Sequence, residues 1–165
     1  MDSSPVIDRP EIPAEYGTAR ATEFVAWDHI EDRLTTERVY WVVTVGSAGR
    51  PRVRPIDGLY IEGAVYIGGS PETRWVRDLT ENPHVAVHLD GLGDVVILEG
   101  EAERLATVDA ALAESLAAAS NAKFPEYRMT AAVYRKQGAI RIRPRKVIAW
   151  TDFTRDPTRF RFGTT

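Results

Sequence analysis

The run Gly68-Gly69-Ser70-Pro71-Glu72-Thr73-Arg74 is the stretch of this chain best suited to hold a ligand. Glycines let a backbone approach a bound group closely. Ser70 and Thr73 add hydroxyls, and Arg74 and Arg77 add charge. A helix starting near Thr73 would present unpaired backbone N–H groups to the loop. Together these make an anion cradle, with a phosphate as its natural occupant. The same residues also read as a helix cap flanked by two solvated arginines. Arg52 and Arg54 lie two apart, so on a strand both emerge on one face. There they reach a ligand phosphate or decorate a solvent face. Arg141 and Arg143 repeat that geometry and its ambiguity.

Other chemistries find less support. The chain has no cysteine, which excludes disulfides and thiolate metal sites. Its three histidines, His29, His84 and His88, do not fall in a zinc-site spacing, and no spacing points to a catalytic triad. An enzyme built this way leaves the reaction to a cofactor that the protein orients. Trp27, Trp41, Trp75 and Trp150 read as core packing before ring stacking. A formal net charge of −3 argues against a general nucleic-acid binder. No apolar run approaches the roughly 18 residues of a membrane span. The polar, Pro-rich start at Met1–Glu15 has no signal-peptide core, so a cytoplasmic location is expected.

The elements that must position the loop are short strands. Residues 1–20, with Pro5, Pro10 and Pro13, are expected as an extended arm, and 21–165 as a single domain. Trp27, Ile30 and Leu34 predict a helix over 26–36 that covers one end of a core. Val39–Val45 predicts a buried strand, and 51–60 and 64–67 predict a hairpin turning at Glu62-Gly63. Pro55 cannot donate to a ladder, so its strand is an edge or bulged there. A short helix over 73–80 ends at Asn82-Pro83. Strands follow at 85–89 and 95–98, the latter continuing more exposed to Arg104. An Ala/Leu-rich helix spans 109–119, capped by Thr107 or Asp109, and a weaker one spans 126–136. Strands are expected at 139–144 and 146–150, with a tail at 157–162 alternating at period two. This pattern is mainly β: an antiparallel barrel with helical caps.

The residues also resemble a family. Thr44, Gly49-Arg50-Pro51, Pro55, Gly58, Tyr66, Thr73-Arg74-x-x-Arg77-x-Leu79-x-x-Asn82-Pro83 and Glu99-Gly100-x-Ala102 occur in an order similar to the pyridoxamine 5′-phosphate oxidase-like split β-barrels. That group includes flavin and deazaflavin oxidoreductases. The resemblance covers about residues 24–106 and extends more loosely to Arg143-Pro144 and Trp150. It implies a six-stranded Greek-key barrel, a homodimer, and FMN or coenzyme F420 at the dimer interface. It places phosphate contacts on the strand with Arg52, Arg54, Pro55 and Ile56, and on Thr73 and Arg74 of a Thr73-Arg74-Trp75 segment, which Gly69, Ser70 and Arg77 of the anion cradle adjoin. Two family lysines are replaced, by Asp57 and Trp75. Those losses argue against pyridoxamine 5′-phosphate oxidase activity itself. They tip the balance from FMN, a phosphate monoester, toward F420, whose phosphodiester carries less charge. The implied reaction is hydride transfer to a small organic substrate, with 123–134 and 150–162 as the expected substrate walls. A non-catalytic barrel holding a flavin, a deazaflavin, or haem on His84 or His88 is the alternative.

Overall fold

The computed structural model describes residues 5–163; residues 1–4 of the expected arm and 164–165 of the expected domain lie outside them. Eight strands run β1 (Val6–Asp8), β2 (Val39–Val45), β3 (Pro51–Ile61), β4 (Ala64–Ile67), β5 (His84–Leu89), β6 (Val95–Leu105), β7 (Ala139–Trp150) and β8 (Thr158–Arg161). Four helices, α1 (Trp27–Thr36), α2 (Arg74–Glu81), α3 (Ala110–Lys123) and α4 (Ala131–Gln137), fill the connections. The sheet order is β1-β8-β7-β4-β3-β2-β5-β6, and β6 pairs back onto β7. Strands β2–β7 therefore close a six-stranded antiparallel barrel with Greek-key connectivity, as the family resemblance implies. The N-terminal segment adds β1 to β8, with Asp8 held by Arg159 and Arg161.

Local chemistry explains most boundaries. Glu62 and Gly63 both take positive φ, the requirement of a two-residue primed turn, so β3 reverses directly into β4. Pro55 lies where β3 pairs only with β2, because β4 joins from Gly58 onward. The two runs expected at 139–144 and 146–150 are one strand. Pro144 sits opposite Gly100 at a register shift between Glu99 and Gly100, and this bulge accommodates the proline. The expected helix 126–136 is split. Pro125–Tyr127 forms a 3-10 turn, Arg128 takes φ +49°, and α4 starts only at Ala131. Asp109 caps α3 by accepting from Leu112 N at 2.8 Å.

Two apolar clusters result. Inside the barrel, Tyr40, Val42, Val65, Ile67, Val87, Leu98 and Ile142 meet Ile30 and Leu34 from α1 and Phe160 from β8. Burying each aliphatic side chain of that size stabilises the fold by about 1.5–3 kcal/mol. Trp27 seals this end edge-on against Phe160 and Phe162, at 5.0 and 5.2 Å between ring centres. The other end is closed by α2 through Val76 and Leu79. Outside the barrel, α3 lays Leu116 over Leu59, Ala64, Tyr66 and Ala139, with Phe124 at its end.

Candidate functional site

The end closed by α2 collects the arginines. Period-two alternation puts Arg52 and Arg54 on one face of β3, with Val53 and Pro55 exposed on the other. Asp78, fully buried on α2, accepts from Arg52 Nε and from Arg74 Nε, each at 2.9 Å. Burial pushes the Asp78 carboxyl up, but the hydrogen bonds from Arg52 and Arg74 outweigh it and hold it below its ordinary value. Arg54 lies over the Trp75 ring, 5.1 Å from its centre. Its Nη1 is buried with no hydrogen-bond partner among the described residues. Burial lowers the Arg54 pKa, with Asp78 opposing and Arg52 adding to that shift. Glu81 lies 3.9 Å from Arg74 as a second, looser acid, so three arginines against two carboxylates leave a net positive patch in which Arg54 holds the buried donor.

The loop is built to stay in place. Thr73 Oγ1 donates to Ser70 O at 2.7 Å, and Ser70 Oγ accepts from Glu72 N at 3.2 Å. The hydroxyls read as phosphate donors thus brace the loop itself. Gly69 packs on Trp75: a Cβ there would lie 2.5 Å from the indole. Its far side opens on a cavity of about 630 Å³ between the barrel wall and α3–α4. Leu59, Tyr66, Leu116, Phe124 and Tyr134 form the cavity's interior, and Gly68–Pro71, Asp57, Tyr127, Arg104 and Lys136 also line it. Tyr127 Oη donates to Asp57, a bond that raises the tyrosine's pKa. Beside the cavity, Lys123 Nζ donates to Gly58 O at 2.8 Å and to Leu34 O at 3.2 Å, and burial lowers its pKa to about 8.

The expected site residues divide. Arg52, Arg54 and Arg74 come together around Asp78 and Trp75, and Gly69 joins them through Trp75. Ser70 lines the cavity and Thr73 locks the loop. Arg77 is exposed on α2, Pro55 is exposed on the outer face of β3, and Ile56 packs toward the core. Of the expected substrate walls, 123–134 contributes Phe124, Tyr127, Met129 and Tyr134 to the cavity, whereas 150–162 contributes none of its lining. Instead Phe160 is in the barrel core, and Trp150 packs edge-on against Phe153. None of the histidines lines the cavity: His29 pairs with Asp94, His88 stacks on Trp41, and His84 is exposed. Sequence reasoning missed Asp78, Arg104 and Lys136. The i, i+4 spacing of Arg74 and Asp78 was a legible signal for the first. Among the described residues there is no cluster of three acidic or histidine side chains fit for a metal, and no helix long and apolar enough to cross a membrane.

Fold and site together define a split β-barrel with a cationic patch beside a lateral cavity. Residues 26–151 match the family model for pyridoxamine 5′-phosphate oxidase, and the chain belongs to that family. Among solved structures, it is similar to a conserved hypothetical protein from Mycobacterium tuberculosis, with TM-score 0.64 and 19% identity over 80% of this chain and 87% of that one. A haem-binding protein from Mycobacterium smegmatis gives TM-score 0.63 and 19% identity over 82% of this chain and 57% of that one. An F420 reductase gives TM-score 0.55 and 15% identity over 71% and 94%. At these identities the likeness is one of fold. No curated protein matches the chain.

Proposed function

We propose that this protein is an oxidoreductase that binds F420, or FMN more weakly, and acts on a small organic substrate as a homodimer. The observation that carries the reading is the Arg52–Arg54–Arg74 patch, in which Arg54 buries an N–H with no partner among the described residues. A buried cation with an unmet donor gains most from an anionic ligand. The donor set therefore fits a cofactor phosphate. Asp57, facing the cavity beside the same loop, opposes a dianionic monoester more than a monoanionic diester. The family match and the F420 reductase among the similar folds support a flavin-type cofactor in general. When bound, such a cofactor supplies hydride-transfer chemistry. The chain's part is to neutralise the phosphate with Arg54, Arg52 and Arg74, to brace the loop through Ser70 and Thr73, and to exclude water from the adjoining cavity.

Fluorescence titration with F420 and with FMN tests this. F420 should bind in the micromolar range or tighter, and ahead of FMN. Arg54→Met should weaken binding about 10- to 100-fold, the loss of one or two charge-assisted hydrogen bonds. The same change should leave the melting temperature unchanged or higher, because it removes a buried unpaired group. Binding of neither cofactor would end the reading, and a Soret band in the purified protein would favour haem instead.

The dimer rests on the outer face of β2, β3 and β5. Val53 is 57% exposed there, beside half-buried Val43 and the stacked Trp41–His88 pair. Contiguous exposed apolar surface of this kind marks an interface. Sedimentation should give a dimer, and Val53→Asp should shift it to monomer at micromolar concentration. A wild-type monomer would remove the dimer from the proposal.

A further inference from the structure

We infer that the lateral cavity takes an apolar, preferably aromatic, carboxylate, with Arg104 and Lys136 as the groups that recognise its charge. The cations of the surrounding strands are already engaged. Arg141 and Arg143 pair with Glu103, Arg145 with Glu101, and Lys146 with Glu99. Arg104 and Lys136 have no acidic partner among the described residues, and both line the cavity. They lie toward the same end of it. The β6–β7 register sets Arg104 opposite Ile140, and Lys136 lies two residues before Gly138, which abuts Leu105 O. Arg104 also borders a smaller hollow of about 160 Å³ under α2, so its guanidinium has room to turn toward a ligand.

Charge and lining fix the class. The charged residues on the cavity wall are Asp57, Arg104 and Lys136, which leaves one net positive charge. One monoanion balances it, and a dianion exceeds it. Leu59, Leu116, Phe124 and Tyr66 make the interior apolar and partly aromatic, in a volume suited to a small organic molecule. Arg104 and Lys136 are exposed at the cavity wall, and a carboxylate reaching both gains charge-assisted hydrogen bonds that a neutral amide of the same shape does not. Calling this ligand the substrate rests on the oxidoreductase reading above; its binding does not.

The test compares 2-naphthoate with 2-naphthamide by calorimetric titration. Wild-type protein should bind the carboxylate about 10-fold tighter or more. An Arg104→Gln, Lys136→Gln double variant should lose that preference and keep the carboxamide affinity, which also shows that the cavity still forms. Arg135→Gln, an exposed neighbour on α4 that does not line the cavity, should behave as wild type. Equal affinity for the two ligands, binding of neither, or a preference that survives the double variant would overturn the assignment. So would displacement of naphthoate by F420 or FMN, because the cavity would then be the cofactor's. Protein that binds naphthoate as described but neither cofactor keeps this site and loses the oxidoreductase reading. Protein that binds a cofactor but shows no carboxylate preference does the reverse.

Discussion

Asp78→Asn lowers the melting temperature at neutral pH by on the order of 10 °C, the expected cost of stripping one member from a buried ionic cluster in a domain of this size. The side chain is fully inaccessible and accepts from two guanidinium groups at 2.9 Å. An asparagine keeps the shape but removes the charge, and its amide places an N–H where an acceptor is needed. Arg52 then loses its counter-ion, Arg74 keeps only the 3.9 Å contact with Glu81, and Arg54 loses the negative field of Asp78. Gly46 allows no escape, because a Cβ there would already lie 2.5 Å from Asp78 Oδ1, so the packing cannot slide. The pH dependence has a definite sign. The folded-state pKa of Asp78 is depressed below the ordinary 3.8, so its contribution is fully present above that value. The contribution is lost as pH falls through the folded value. Thermal melts of wild type and variant should thus be well separated at pH 7 and converge under strong acid. A gap that is absent at pH 7, or that widens in acid, would show that the cluster does not hold α2 to the barrel.

That cluster also shows where sequence reasoning stops. Periodicity told that Arg52 and Arg54 share a face, and the loop-then-helix pattern put Arg74 beside Gly69-Ser70; both follow from residues a few positions apart. The barrel itself was legible because strand alternation, the Glu62-Gly63 turn and Pro55 are local signals. Asp78 was read with the polar side of α2, since a helical pattern does not say that two arginines from different elements will desolvate one carboxylate. The cavity was half legible. The segment 123–134 lines this cavity and 150–162 does not, because the alternating tail puts Phe160 into the core. Arg104 and Lys136 carry no local mark. What distinguishes them is that their neighbours on β6 and β7 are paired and they are not, which is a property of register rather than of spacing.

The register has one position on which both the barrel wall and the cavity depend. Gly138 joins α4 to β7 at φ +72° and ψ −161°, a backbone region open essentially to glycine alone. A Cβ there would also overlap the carbonyl of Leu105, a backbone atom held in the β6–β7 ladder that cannot swing aside as a side chain can. Gly138→Ala therefore combines a conformational penalty with a steric one and should cost about 3 kcal/mol or more, lowering the melting temperature by roughly 6–12 °C. Gly49→Ala is the control. Gly49 also has positive φ, +70°, but a Cβ would meet nothing within 4 Å, so only the conformational part, about 1 kcal/mol, should appear. Relief of the overlap requires α4 to retreat from the barrel, carrying Tyr134 and Lys136 with it. The surviving folded fraction of Gly138→Ala should then lose the carboxylate preference of the cavity, while Gly49→Ala keeps it. Equal melting temperatures for the two variants would show that β6 and β7 can part at Leu105 without cost, and the cavity wall could not be as rigid as the ligand assignment requires.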